Sequence, residues 1–438
     1  MSITTEQVVI IDRVQLLDND TEHRITIRDG HVESIVASSD ASKETGANVL
    51  VIDGQGQTAV RGLCDLYSRL REPGLTRKGS IATESQAALA SGFTKVLCSP
   101  DTQPTIDSIA TVQLIRQRAE AAQGAEILPI AALTVGLAGE QLSELATLQA
   151  AGCPAASQAD VPVGNTNVLY SAMEYAASFS MPLFMTARDS QLGAGGCAHA
   201  GAMATKLGLP SIPVAAETVA LARLLELCRE TECRLHISRI SSARSLQMID
   251  AAKQAALPVT CDVALHHLFF TDEQLAGYDS TFHSEVPFRS LADRDALREG
   301  LRTGIIDAIC TDHAPHDRDA SLAPFPATEP GLSAYHWALP LILQLPELVD
   351  LPLNQVFEKL SAAPRRIIDG AEHTGMTEGE QADFFLLNKD AAVDPMKVSL
   401  ASVGTNHPLN IHSAQSLGLS PMLGRVSHAF LQSRHHSF

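Results

Sequence analysis

The fold class is indicated by the segment Thr218-Val-Ala-Leu-Ala-Arg-Leu-Leu-Glu-Leu-Cys228, which is followed closely by Arg234-Leu-His-Ile237. Its first part has apolar residues at a spacing close to 3.6, which is typical of an amphipathic helix. The apolar face that this spacing predicts consists of Val219, Leu221, Leu224, Leu225 and Cys228. The second part is a short apolar run that predicts a strand. A helix followed by such a strand is the repeating unit of a parallel sheet.

The same alternation of helix and strand extends in both directions from this stretch. Eight strand candidates lie at residues 62–67, 94–98, 127–134, 153–157, 183–185, 234–237, 259–263 and 308–311. Eight successive βα units predict a closed, TIM-type (β/α)8 barrel over residues 59–370. Short strand-and-turn patterns precede this region and follow it. We therefore predict an α/β fold in which residues 1–58 and 371–438 together build one small β domain beside the barrel.

The composition is that of a folded protein, and it disfavours two classes of partner. Hydrophobic residues make up 45% of the 438 residues and charged residues 19%, which disfavours intrinsic disorder. The chain has 50 acidic and 32 basic residues, and the resulting net charge of −18 repels phosphate backbones and anionic lipids. We expect neither nucleic acid nor a membrane as a partner.

The cysteine pattern and the apolar runs bear on the compartment. The eight cysteines are scattered without a Cys-x-x-Cys pair, and most lie in apolar runs, so we predict buried free thiols. No basic residue precedes the first apolar run, and no run reaches the roughly 18 apolar residues of a membrane span. We expect a cytoplasmic protein.

In a barrel of this kind, residues that follow the strands converge on one open face, where a reaction would be built. Several motifs stand out in the sequence, some of them at these positions. They are Arg71-Glu-Pro-Gly74, Gly92-Phe-Thr94, Ser99-Pro-Asp-Thr102, Ala264-Leu-His-His267, Pro287-Phe-Arg289, Thr311-Asp-His-Ala-Pro-His316 and Ala363-Pro-Arg365.

Together these motifs resemble the dihydroorotases of the amidohydrolase superfamily, from about residue 50 to the C-terminus. In that family a strand-one His-x-His, an Asp after strand four, and His residues after strands five and six hold two zinc ions. The ions lower the pKa of a bridging water and polarise the amide carbonyl, while an Asp after strand eight shuttles the proton. The resemblance places that last residue at Asp312.

The positions that match the family's metal ligands carry residues that do not suit zinc. They are Tyr67, Arg69, Gln158, Thr186 and Arg239. Asp160 would match the strand-four ligand only after a shift of two residues. A carboxylated lysine cannot replace the missing ligands, because no lysine occurs between Lys95 and Lys206.

A guanidinium is a permanent cation without a lone pair to donate, so Arg69 and Arg239 should repel a zinc ion. We expect no zinc and no other cofactor, and no catalytic residue beyond a vestigial Asp312. We also predict that Arg69 or Arg239 pairs with Asp312, with a nitrogen–oxygen distance within ~3.2 Å.

The substrate positions are changed as well. Arg71 and His316 match residues that in the family hold the substrate carboxylate, whereas Asp101 and Glu285 stand where the family has asparagines. Two added carboxylates disfavour an anionic substrate. Each should cost roughly 1 to 3 kcal/mol in repulsion unless an arginine neutralises it.

Other histidines in the chain are weaker candidates for a site. His266, His267 and His313 could form a new metal site in principle, but their spacing supports core or loop histidines. The pair His435-His436 is interpreted as a polar terminal tail.

The resemblance implies a non-catalytic dihydroorotase homologue. In some bacteria such homologues assemble with the catalytic subunit of aspartate transcarbamoylase in pyrimidine biosynthesis, so we expect a hetero-oligomer or a homo-oligomer. One alternative is an active cyclic amidohydrolase that interconverts carbamoyl aspartate and dihydroorotate in a rebuilt or metal-poor site, using Asp312 and perhaps Asp65. Another is a ligand-sensing module that uses Arg71 and His316.

Overall fold

The predicted barrel is present, with its strands in chain order. The computed structural model describes residues 8–40, 48–371, 376–393, 402–408, 411–419 and 421–438. Within them the barrel strands are Leu63–Ser68, Phe93–Cys98, Glu126–Pro129 continued by Ala131–Ala132, Ala156–Ser157, Leu183–Thr186, Leu235–Ser238, Val259–Ala264 and Ala308–Cys310. Each strand pairs in parallel with the next one along the chain.

The seam between the last and the first strand closes the barrel. Ser68 and His313 form a parallel bridge there. The buried Asp65 carboxylate accepts hydrogen bonds from the backbone N–H of Thr311 at 2.8 Å and from the hydroxyl of Tyr335 at 2.9 Å. Burial raises the pKa of Asp65 to about 6, although the hydrogen bonds from Thr311 and Tyr335 act in the opposite direction. Asp65 therefore ties the two strands together.

Helices surround the barrel. They are Ile81–Ala90, Ile109–Ala122, Leu145–Ala150, Thr166–Ala177, Ala202–Leu207, Val214–Thr231, Ala243–Gln254, Leu291–Arg302, Tyr335–Ile342, Leu345–Val349, Leu353–Glu358 and Ala362–Asp369, and Ile411–Ser416 follows later in the chain. Serine side chains cap the first turns of several of them, at Ser80, Ser108, Ser242 and Ser290. Each of these serines directly precedes its helix in the sequence.

One residue of the helical face predicted between residues 218 and 228 is misplaced. Leu221, Leu224, Leu225 and Cys228 are buried as expected, but Val219 is 50% exposed. The helix turns about 100° per residue, so Val219 lies roughly 200° around the axis from Leu221. The buried stripe includes Glu217 and Ala220 instead.

Both ends of the chain build one small β domain, as predicted. Its strands are Val8–Leu16, Asn19–Arg28, His31–Ala37, Val49–Asp53 and Thr58–Arg61 from the first part of the chain, and Asp383–Ala392, Leu423–Leu431 and Arg434–Ser437 from the last. The two sets join where Thr58–Arg61 pairs antiparallel with Asp383–Ala392. The boundary predicted between residues 58 and 59 thus falls inside a strand of this sheet, and the barrel begins after Gly62. A Cβ at Gly62 would overlap the side chain of Thr94.

The interpretation of His435-His436 as a terminal tail is wrong. Both residues lie in strand Arg434–Ser437, which pairs with Leu423–Leu431. The ring of His435 stacks on Phe430 with centroids 4.9 Å apart, and its Nε2 lies 3.0 Å from Nδ1 of His428. Packing between neighbouring strands, which short-range sequence patterns do not show, holds these residues in the sheet.

Two further predictions concern burial. The eight cysteines are all buried free thiols, which confirms that prediction. No helix among the described residues is both long and apolar enough to cross a membrane.

Helix Ala362–Asp369 contributes Ile367 to the cluster that fills the barrel interior.

Candidate site at the carboxyl-terminal mouth of the barrel

Arg239 lies at the centre of the barrel mouth, directly after strand Leu235–Ser238. Its backbone is left-handed, with φ 56°, and its N–H donates to a carboxylate oxygen of Asp262 at 2.5 Å. The guanidinium has no exposed surface and donates to Oδ1 of Asp312 at 2.8 Å and to Oγ1 of Thr186 at 2.6 Å. The predicted arginine–Asp312 pair is confirmed. The guanidinium also lies over the ring of Tyr67, 3.6 Å from its centroid.

Asp160 is the second centre of this network. Its carboxylate accepts hydrogen bonds from the guanidinium groups of Arg239 and Arg69 and, at 3.2 Å, from the hydroxyl of Tyr67. Gln158 does not reach the mouth, because its amide donates to the carbonyl of Leu137 at 2.9 Å. The assignment of the strand-four position to Gln158 is therefore corrected to Asp160.

A backbone turn causes this two-residue shift. Ala159 adopts φ 51°, and its N–H donates to the Ser157 hydroxyl at 3.0 Å. A left-handed residue other than glycine is uncommon, and it redirects the chain. As a result Asp160, rather than Gln158, faces the barrel axis.

The carboxylates expected to repel an anionic substrate are each paired with an arginine. Arg69 Nε donates to Asp101 at 2.7 Å, and Arg188 donates to Glu285. The repulsion expected from Asp101 and Glu285 is thus offset by these cations. The sequence pattern contained both arginines, but pairing across different loops is not visible in it.

The pKa values of the two aspartates in this network, Asp160 and Asp312, are shifted in opposite directions. Burial alone would raise the pKa of Asp160, but Arg239 and Arg69 lower it well below its usual range. For Asp312 the effect of burial outweighs that of Arg239, and the pKa is raised. Burial lowers the pKa of His266 well below its usual value, so the ring is neutral. Its Nε2 lies 3.7 Å from Asp312.

The residues that match the family's substrate-carboxylate site bind each other. Arg71 Nη2 lies 2.9 Å from Nε2 of His316, and Arg71 Nε donates to the carbonyl of Pro315 at 2.9 Å. Burial lowers the pKa of Arg71 to about 10, and burial together with Arg71 lowers that of His316 to about 3. The two side chains that would hold a substrate carboxylate are thus bonded to each other.

Two cavities at the mouth are small. A cavity beside Asp160, Thr186 and Glu285 measures about 30 Å³, and another beside Arg69 and Asp101 about 10 Å³. One water needs roughly 10 to 15 Å³ on this scale, and small-molecule sites typically measure about 300 to 1,000 Å³. These two cavities can hold waters but not a substrate.

Two other predicted histidines lie in packed surroundings. His313 Nε2 lies 2.9 Å from a carboxylate oxygen of Glu84, and its Nδ1 accepts from the backbone N–H of Ala334 at 2.9 Å. His267 packs against the ring of Phe288, with centroids 5.0 Å apart. Both are buried.

Comparison with known proteins bears on this site. A family model described as dihydro-orotase-like matches residues 56–245. A dihydroorotase-like protein of Pseudomonas aeruginosa is 40% identical over 421 residues, which cover 94% of this chain and 96% of that protein. The chain belongs to the dihydroorotase-like family.

Other relatives of this dihydroorotase-like chain carry two kinds of name. A dihydroorotase-like protein of Pseudomonas putida is 46% identical over 315 residues, 72% of this chain and 74% of that protein. A dihydroorotase of Syntrophobacter fumaroxidans is 37% identical over 351 residues, 80% of each protein.

The fold is shared with solved amidohydrolases that have a TIM barrel and a flanking β domain. The L-hydantoinase (dihydropyrimidinase) of Arthrobacter aurescens matches with a TM-score of 0.78, covering 98% of this chain and 96% of that one. At 19% identity this match shows the fold alone.

The mouth of this dihydroorotase-like chain does not fit a pair of zinc ions. Asp160, Asp312 and His266 could donate lone pairs, but Arg239 already binds both carboxylates. Guanidinium groups offer only N–H donors, and two of them would repel a divalent cation in a buried site. Across the part of the chain that the structure describes, no group of three or more His, Cys, Asp or Glu residues is arranged to hold a metal.

A segment near the end of the dihydroorotase-like chain supports the strand-eight loop, and sequence analysis missed it. Asn406 Oδ1 accepts from the N–H of His316 at 2.7 Å, and Nδ2 donates to the carbonyls of Ala314 at 2.9 Å and Gly331 at 2.8 Å. Only 8% of Asn406 is exposed. An asparagine two residues before a proline, in Asn406-His-Pro408, was the available signal for an ordered loop.

Proposed function

We propose that this chain is a non-catalytic dihydroorotase homologue that serves as a cytoplasmic assembly subunit for aspartate transcarbamoylase in pyrimidine biosynthesis. One observation carries the proposal. The fully buried guanidinium of Arg239 binds Asp160 and Asp312, the two mouth carboxylates that could otherwise serve as metal ligands or proton acceptors.

The network suits a structural role better than a catalytic one. An aspartate that shuttles protons must release and rebind them near neutral pH, and it must contact substrate. Asp312 instead accepts a hydrogen bond from a permanent cation, the guanidinium of Arg239. Arg69 and Arg239 supply the positive charge that metal ions supply in active relatives, but a guanidinium generates no hydroxide from water.

Support for the partner comes from the resemblance to inactive homologues that assemble with aspartate transcarbamoylase. The retained barrel agrees with a role in assembly. The barrel keeps its strand pairings and its interior apolar cluster, and the small β domain built from both ends of the chain is intact. Ion pairs occupy the positions at the mouth. The barrel can thus present a surface to a partner protein without catalysing a reaction at its mouth.

A direct assay tests the absence of catalysis. Purified chain supplied with Zn²⁺ should not interconvert carbamoyl aspartate and dihydroorotate. Turnover that disappears in Asp312→Ala would contradict the proposal and support an active cyclic amidohydrolase. Elemental analysis of the same preparation should find no stoichiometric zinc, and two zinc ions per chain would likewise contradict it.

A second experiment tests the assembly role. The chain is mixed with the cognate aspartate transcarbamoylase, and the product is weighed by light scattering. We expect one species heavier than either component alone. Two separate peaks with the masses of the unmixed proteins would contradict the partner, whatever the outcome of the catalytic assay.

A further inference from the structure

Two histidines meet on neighbouring strands of the small β domain. His428 lies in strand Leu423–Leu431, and His435 lies in strand Arg434–Ser437, the last strand in the order of the sheet. Nδ1 of His428 is 3.0 Å from Nε2 of His435, and the ring centroids are 5.2 Å apart. Both residues are partly exposed, so solvent reaches the pair.

The register of the two strands explains why these rings meet. His435 pairs with Phe430 across the strands, and His428 is two residues from Phe430 on the same strand. Side chains two residues apart on a strand point to the same face, so the histidines are diagonal neighbours on one face of the sheet. The rings of His435 and Phe430 are nearly parallel, with an interplanar angle of 9°. Packing on Phe430 therefore restricts the orientation of the His435 ring.

The distance between the two facing nitrogens matches that of a chelate. Imidazole nitrogens bind a divalent transition-metal ion at about 2.0 to 2.1 Å. Two such nitrogens lie about 2.9 Å apart when they are at a right angle around the ion, and about 3.3 Å apart at the tetrahedral angle. The 3.0 Å between the facing nitrogens of His428 and His435 therefore suits adjacent positions of a tetragonal or octahedral ion.

We propose that His428 and His435 form a chelating site for a divalent transition-metal ion that prefers imidazole, such as Ni²⁺ or Cu²⁺. The site lies in the β domain, so it is distinct from the barrel mouth and independent of the proposed assembly role. Water fills the other coordination positions, because the described residues provide no third His, Cys, Asp or Glu ligand.

Binding requires a lone pair on each of the two facing nitrogens. In the pair, one of these nitrogens donates its N–H to the other. A neutral imidazole has a single ring proton, which either nitrogen can carry, so the donating ring can hold that proton on its other nitrogen. The two rings then offer two lone pairs to one ion, and the metal–nitrogen bonds replace the hydrogen bond between them.

The charge around this pair differs from that at the mouth. Two guanidinium groups at the mouth repel a divalent cation. In the β domain, Arg434 precedes His435 in the sequence, but alternation along the strand places its side chain on the opposite face of the sheet. Its Nη1 donates to the carbonyl of Gly124 at 3.0 Å. The Arg434 cation is therefore directed away from the histidine pair.

Titration calorimetry with Ni²⁺ at about pH 7.5 tests the site, because imidazole is mostly neutral at this pH. Ni²⁺ is preferred to Cu²⁺ as the probe, since it does not oxidise the free thiols of the chain. We expect one tightly bound ion per chain, with an affinity about 100-fold above that of a single imidazole. Binding no tighter than that of a single imidazole would overturn the proposal.

Two variants identify the ligands. His435→Phe keeps an aromatic ring against Phe430 but removes one ligand, and His428→Gln removes the other. Each should weaken Ni²⁺ binding about 100-fold. His23→Gln is the matched control and should leave the affinity unchanged, because His23 is also partly exposed but has its Nδ1 2.8 Å from the carbonyl oxygen of Thr21. Tight binding that survives in His435→Phe or in His428→Gln would overturn the proposal.

The same variants keep this site separate from the zinc analysis of the mouth. Zinc bound by the histidine pair would disappear in His435→Phe, whereas zinc bound at the mouth would remain. Failure of the chelating site and failure of the proposed non-catalytic function are thus distinguishable in one preparation.

Discussion

The barrel mouth and the seam between its first and last strands both bury carboxylates, but they stabilise them with different chemistry. At the mouth, guanidinium cations of Arg69 and Arg239 bind Asp160. At the seam, neutral donors from Thr311 and Tyr335 bind Asp65. The pKa of Asp160 lies well below its usual range, whereas burial raises that of Asp65 to about 6. The mouth therefore differs from the seam in the permanent positive charge of its hydrogen-bond donors, since the carboxylates of both sites are buried.

The largest expected effect follows from removing the central cation. Arg239→Met leaves Asp160 and Asp312 buried without their main partner, and breaking a buried pair in this way costs about 3 to 5 kcal/mol. Urea unfolding of wild type and variant measures the loss. Arg188→Met is the matched control, because its pair with Glu285 is about a quarter exposed and should contribute under about 1 kcal/mol. Equal losses of unfolding free energy in the two variants would show that the buried ion pairs of Arg239 contribute no more to stability than the partly exposed pair of Arg188.

The second prediction separates mouth and seam by pH. The folded pKa of Asp65 is raised from 3.8 to about 6, so the protonated form is favoured in the fold and stability falls as pH rises from about 4 to about 6. The shift corresponds to about 3 kcal/mol, which Asp65→Asn should abolish. Unfolding free energies measured between pH 4 and pH 7 for both proteins give the difference.

Asp160 should show the opposite sign when the same measurement is extended below pH 4. Its folded pKa is lowered, so its stabilising contribution is present above about pH 4 and is lost as pH falls below that value. The difference between wild type and Asp160→Asn should therefore shrink on acidification. If the unfolding free energies of wild type and both variants change with pH in parallel, the opposite pKa shifts of Asp160 at the mouth and Asp65 at the seam are contradicted.

The support of the strand-eight loop gives the next smaller effect. Asn406→Ala removes three hydrogen bonds and leaves the buried N–H of His316 without its acceptor, which should cost about 1 to 3 kcal/mol. Thermal unfolding measures this loss. Asn167→Ala, at an exposed helix position, should stay within about 0.5 kcal/mol of wild type. An Asn406→Ala protein as stable as this control would show that the loop needs no such support.

What the sequence could predict follows from the range of the interactions involved. The barrel strands and the joining of both termini follow from local apolar patterns and alternation, because burial of a strand or a helix face depends on its own residues. Arg239–Asp312 was also predictable, since both residues follow strands and barrel geometry brings such positions together. Asp160 was not, because a left-handed Ala159 has no clear signature in sequence.

The same limit explains the other misplaced residues. The pairing of Arg188 with Glu285 and the docking of Asn406 join segments that are far apart in the chain. The sequence pattern predicts a tail at His435 because its stacking partner Phe430 lies on a neighbouring strand whose register only the folded sheet shows. Val219 was misplaced for a simpler reason, since an apolar side chain can lie on an exposed face at little cost.

The smallest expected effect concerns ligand binding at the mouth, and it decides whether the chain is a sensor. A ligand at ten times its Kd would stabilise the fold by about 1.4 kcal/mol. Because Arg71 and His316 bind each other beside a cavity of about 10 Å³, millimolar dihydroorotate or carbamoyl aspartate should leave the unfolding temperature unchanged. Stabilisation that Arg71→Met abolishes would instead mean that the pair opens to admit an anion, and that the closed mouth is one of two states.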